Sequence, residues 1–97
     1  MRGLQQYRNR LKIISDILSV ALLSGSEGGA SPSVLMRRSN LSYRGMEAML
    51  SQLLSAGLLL ERQEDRGVKY LVSAKGADYL AHYQQFEAFA ESYGLRL

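Results

Sequence analysis

Apolar residues recur with helical spacing from the start of the chain. Leu4, Tyr7, Leu11, Ile14, Leu18 and Leu22 return every three or four residues, and Ile13, Ile17, Val20 and Ala21 widen the stripe. This period places them on one face of a helix and predicts one over residues 2–23. Arg8, Arg10, Lys12 and Asp16 fall off the stripe and read as a solvated face. Residues 24–30, Ser-Gly-Ser-Glu-Gly-Gly-Ala, are a loop by composition. With no strand before it and no Lys-Ser/Thr after it, this loop is not a phosphate cradle.

Ser31-Pro32 is a helix start: Ser caps free N–H groups, and Pro fits the first turn, where its missing N–H costs nothing. The short helix spans 32–38, with Val34, Leu35 and Met36 turned inward, and Ser39-Asn40 ends it. Leu41 is a candidate buried staple. Ser42 caps the next helix, 43–56, whose core stripe is Met46, Leu50, Leu53 and Leu54 with Met49 beside it; Gly57 ends it by taking a positive φ. Residues 58–62 read as a strand, 63–67 as a hairpin tip and 68–72 as the return strand. Ser73 caps a last helix, 74–93. On it Tyr79, Tyr83, Phe86, Ala90 and Tyr93 recur at spacings of four, three, four and three, a heptad seam. Ala77 and Leu80 form an adjacent line facing the domain.

A short helix, a tight turn, a second helix and a hairpin make a winged helix-turn-helix. The predicted class is therefore mainly α with a small β-hairpin. Residues 1–73 form the winged domain and 74–97 a coiled-coil-like dimerisation helix.

Composition narrows the chemistry. At 97 residues the chain has room for a single core. Cysteine is absent and His82 is the only histidine, which excludes disulfides, thiol nucleophiles and Cys-based metal sites. No cofactor, metal or catalytic residue is expected: Glu61, Glu64 and Asp65 lie on an exposed hairpin with no pocket to shift a pKa. The formal charge is +3, and nine of the twelve cations are Arg, the side chain best suited to phosphates and guanine edges. Residues 1–44 carry +5, residues 45–75 balance, and residues 76–97 carry −2. No run approaches the ~20 apolar residues that span a bilayer, and Lys12 and Asp16 interrupt any secretory segment. A cytoplasmic protein with no membrane partner is expected.

Four stretches carry a family resemblance: Arg10–Leu18 (RLKIISDIL), Asn40–Tyr43 (NLSY), Leu50–Leu58 (LSQLLSAGL) and Tyr70–Gly76 (YLVSAKG). In that order they resemble the archaeal winged-helix family of small DNA-binding proteins, whose members join a winged domain to a C-terminal dimerising helix. The resemblance covers most of residues 8–83. It implies a homodimer on double-stranded DNA, either a transcription regulator or a chromatin-associated protein. Two features depart from the family pattern. The glycine-rich loop at 25–30 is longer, and acidic Glu64 and Asp65 stand in the wing tip where Lys or Arg is usual.

The expected DNA contacts follow from a helix N-terminus entering the major groove. Arg44 would reach guanine O6 and N7, Glu47 would accept from cytosine N4, and Tyr43 would lie beside them. Ser42 and the free N–H groups would meet phosphate. Arg37, Arg38 and Asn40 would flank the groove, and Arg62, Arg66 and Lys69 on the hairpin would track the backbone. Each assignment has a plainer alternative. Arg44 and Glu47 are spaced for a surface ion pair. Arg62 and Lys69 can be neutralised by Glu61 and Glu64. Tyr43 can half-bury against Leu41, and the aromatic seam can pack on the first helix of its own chain. A winged-helix module that binds protein is the alternative function from another class.

Overall fold

The computed structural model describes residues 9–96. The elements are α1 (Arg10–Leu23), a 3-10 turn (Gly25–Glu27), α2 (Pro32–Arg38), α3 (Tyr43–Ser55), β1 (Leu59–Glu64), β2 (Gly67–Val72) and α4 (Ala74–Glu91). Four helices with one antiparallel hairpin are the mainly α, winged order expected. Leu4, Tyr7 and the other positions of the expected helix before Asn9 lie outside the described residues.

Side-chain caps start all four helices. The Asn9 carboxamide accepts from the Lys12 amide, Ser31 from Val34, Ser42 from Gly45 and Ser73 from Gly76, each satisfying an otherwise free N–H. Three helices close alike: the chain turns left-handed at Asn40 (φ 56°), Gly57 (φ 79°) and Gly94 (φ 80°). The next amide then returns to a carbonyl five residues back, Leu41 to Met36, Leu58 to Leu53 and Leu95 to Ala90. This closure ends α4 at Glu91, two residues before the expected Tyr93.

The core joins Ile14, Ile17, Leu18 and Ala21 of α1 to Leu35 of α2 and to Met46, Met49, Leu50 and Leu53 of α3. Leu59, Tyr70 and Leu80 close it from the hairpin and α4. Leu41 and Leu54 pack against it, partly buried. The hairpin runs Leu59↔Val72 to Glu64↔Gly67, leaving a two-residue tip, Asp65-Arg66. The strands reach further into the polar 63–67 segment than composition predicts. Cross-strand pairs such as Gln63↔Val68 supply main-chain partners that sequence polarity does not reveal. Beyond β2, Ala30 pairs with Tyr70 as an isolated antiparallel bridge. It anchors the end of the glycine-rich loop to the sheet.

α4 is tied to the end of α3. Ser73 Oγ donates to the Gly57 carbonyl (2.6 Å), Lys75 Nζ to the Ala56 carbonyl (2.7 Å) and the Ser73 amide to the Leu58 carbonyl (3.1 Å). Gly76 sits so close to the Leu58 carbonyl that any β-carbon there would collide with it. α4 also packs on α1 along its length from Tyr79 to Glu87: Tyr79 Oη donates to the Leu11 carbonyl (3.4 Å), and Lys12 Nζ lies 3.7 Å from Glu87.

Candidate nucleic-acid interface

α3 buries Met46, Met49, Leu50 and Leu53. At about 100° per residue, its outward edge is then Arg44, Ala48, Ser51 and Ser55, all exposed. Beyond Arg44 these side chains are short, so the helix axis can approach a groove floor. Tyr43 and Glu47 stand on one flank of this edge. Tyr43 is 61% exposed, so it does not bury against Leu41. Its hydroxyl donates to Glu47 Oε2 at 3.0 Å. That hydrogen bond is the main cause of the raised Tyr43 pKa, with the carboxylate charge second. Glu47 is thus engaged by Tyr43 and makes no ion pair with Arg44. Ser42 Oγ serves the helix cap at 3.1 Å, leaving the remaining first-turn N–H groups to face outward.

Arg37 and Arg38 occupy the exposed last turn of α2, where cations also favour the helix dipole. The side chains of Arg37, Arg38, Arg44 and Arg66 make no hydrogen bond or ion pair to any described residue. Asn40 holds the left-handed turn between the two helices.

The hairpin cations are placed differently. Arg62 lies directly opposite Lys69, and two like charges across a strand pair repel. Each is drawn elsewhere. Arg62 Nε and Nη2 donate to Glu64 Oε2 at 3.1 and 2.5 Å, with the guanidinium lying over Gly28. Lys69 Nζ donates to the Glu27 carbonyl at 3.1 Å. Both brace the hairpin against the glycine-rich loop. Of the three expected hairpin contacts, only Arg66 at the tip is unengaged.

The structure divides the expected dimer seam. Tyr83 and Ala90 are buried within the chain, and Tyr79 is half-buried and stacked on Tyr83 with ring centroids 6.4 Å apart. Tyr79 and Tyr83 pack towards α1, because their positions on α4 coincide with the side facing Leu11 and Lys12. Burial raises the pKa of both phenols. Phe86 and Tyr93 remain exposed, at 51% and 70%. With Phe89, Ala90 and Leu95 they line an apolar groove of about 330 Å³. Phe89, 60% exposed and 5.1 Å from Tyr93, was missed from sequence, although its spacing of three from Phe86 and four from Tyr93 fits the seam. His82 is exposed and turned back on Asp78. Among the described residues no three metal-ligating side chains converge, and no helix is long and apolar enough to cross a membrane.

A family model for the winged helix-turn-helix matches residues 7–91. The chain belongs to the winged helix-turn-helix family. Among solved structures, this winged helix-turn-helix chain is similar to Sso10a-2, a DNA-binding protein from Sulfolobus solfataricus. The TM-score is 0.76 at 22% identity, over 89% of this chain and 85% of that one. At this identity the likeness is one of fold. No curated protein matches the chain.

Proposed function

We propose that the protein is a dimeric, non-enzymatic, cytoplasmic DNA-binding protein that lays α3 in the major groove and acts in transcription regulation. The observation that carries this reading is the set of unengaged guanidiniums, Arg37, Arg38 and Arg44, around the exposed start of α3. Cations held by carboxylates bring no net charge to a phosphate. These three do, and they sit where a helix N-terminus meets base edges. Arg44 reads a guanine edge, and Arg37 and Arg38 hold phosphates. The DNA-binding description of the similar Sulfolobus protein supports the same reading.

The second copy docks on the groove of Phe86, Phe89, Tyr93 and Leu95. Exposed aromatic side chains in one patch signal association, and a two-fold pair sets two α3 helices about one DNA turn apart, ~34 Å. In this reading residues 1–73 and the face of α4 that packs on α1 form the DNA-binding body, and the apolar face at the end of α4 is the dimerising part.

A low-specificity, chromatin-type binder is favoured by one observation: beyond Arg44 the outward edge offers Ala48, Ser51 and Ser55, which reach few base edges. Binding to random duplex and to a selected pool across a salt series separates the readings. A regulator prefers selected sequences, a chromatin-type protein binds all alike, and both lose ~0.9 log units of affinity per phosphate contact per tenfold salt. Absence of binding at about 50 mM salt, where phosphate contacts are strong, rejects DNA as the partner in favour of protein.

A further inference from the structure

We propose that Arg10, at the start of α1, is a further phosphate-binding residue of this interface, positioned by Gln52 of α3; the inference rests on the DNA-binding reading above. Arg10 Nη2 donates to Gln52 Oε1 across 42 residues of sequence, and both side chains are exposed. Gln52 follows Arg44 by eight positions, which places it ~12 Å along the axis and ~80° around it. Tyr43 and Glu47 lie on the opposite flank. A helix seated in a groove ~12 Å wide turns its flanks towards the two phosphate walls. Arg10 therefore projects at the wall that Gln52 faces.

Charge supports the assignment. Gln52 is neutral, so the hydrogen bond orients the Arg10 guanidinium without cancelling it. Lys12, two residues on, lies between Asp16 at 3.5 Å and Glu87 at 3.7 Å, which consume its charge. The first turn of α1 carries no acidic residue, so its positive dipole end adds to the potential at Arg10.

The test is a salt series on the full chain with a duplex of about 30 base pairs (~100 Å at 3.4 Å per step), using Arg10→Ala, Arg10→Lys and Gln52→Ala, each checked by thermal melt. Arg10→Ala is expected to lower affinity about fivefold per protomer at 0.15 M salt and to flatten the log–log salt slope by ~0.9 per protomer, the loss of one contact. Base preference stays unchanged. Arg10→Lys keeps the slope. Gln52→Ala keeps the slope with a smaller loss of affinity, which a merely structural Arg10–Gln52 bond would not give. If wild type binds and Arg10→Ala keeps the wild-type slope, the Arg10 assignment is overturned while the α3 reading stands. If wild type does not bind, both fall.

Discussion

Ala30 and Tyr70 exchange both main-chain hydrogen bonds, Ala30 N–H to Tyr70 O at 2.9 Å and Tyr70 N–H to Ala30 O at 2.8 Å. This single antiparallel bridge stands beside the two-stranded hairpin and fixes where the glycine-rich loop ends. It also brings Gly29, at φ 115°, against β2: a β-carbon there would lie 2.7 Å from the Tyr70 carbonyl oxygen. Gly29→Ala is therefore expected to cost about 1–3 kcal/mol, through strain at positive φ and the backbone clash. At ~4–8 °C per kcal/mol for a chain of this size, the fall is readily seen in a thermal melt. Gly25 has no positive φ and open space around it, so Gly25→Ala should match wild type or gain up to ~1 kcal/mol. Equal melting of the two variants would contradict this account of the loop.

Substituting the arginines should split affinity from selectivity. Arg44→Ala is expected to change preference at one base pair, worth ~1–3 kcal/mol of discrimination. Arg38→Ala is expected to weaken binding to every duplex alike, since phosphates carry no sequence information. A selected-pool binding profile of each variant reads both effects. An unchanged base profile for Arg44→Ala would contradict the placement of α3 as the reading helix.

The apolar groove at the end of α4 predicts the oligomeric state. The double variant Phe86→Glu, Phe89→Glu places two charges on exposed positions, so the fold is retained while a docked copy meets unpaired carboxylates. Light scattering should give the mass of one chain for the variant and two for the wild type. Tyr83 is the wrong residue for this test, because it is buried and its substitution by Glu disrupts the α1–α4 contact itself. A variant that keeps the wild-type mass would place the contact elsewhere.

Alkaline pH should lower the stability of the protein through its phenols. Burial raises the pKa of Tyr70, Tyr79 and Tyr83 above the ordinary value of 10. At Lys12 desolvation is the largest single effect and acts downward, but Asp16 and Glu87 together outweigh it and the pKa is also raised. Where the folded pKa exceeds the unfolded one, the native state holds protons that the unfolded state has released. The stabilisation is complete below pH ~10 and is lost as pH rises through the folded values. Among the described residues Tyr83 Oη is buried with no hydrogen-bond partner, so Tyr83→Phe removes a polar group that they leave unsatisfied. Urea melts at about pH 8 and 11, either side of the phenol pKa, should show Tyr83→Phe equal to or above wild type at the lower pH and less sensitive to the rise. A steeper alkaline loss in the variant would contradict the burial argument.

The local elements were legible because local chemistry sets them. Ser31, Ser42 and Ser73 cap the helices they precede, Asn40 and Gly57 take the left-handed turns, and the 3.6-residue stripe of α3 is the stripe that is buried. From these residues alone followed a mainly α chain with a hairpin after its third helix. Tertiary contacts decided the rest. Spacing put Tyr79, Tyr83 and Phe86 on one seam, but only the position of α1 determines that the two tyrosines pack inside the chain and Phe86 stays outside. The sequence pattern put Arg10 and Lys12 on a solvated helix face and Arg62 and Lys69 on a hairpin tracking DNA, without naming the partner that each would meet in the fold. The fold gives Lys12 to Glu87, Arg62 to Glu64 and Lys69 to the Glu27 carbonyl, and it brings Arg10 to Gln52. A periodic pattern fixes which face of an element is apolar, whereas the partner of a charged side chain depends on which distant segment the packed core brings within hydrogen-bonding reach.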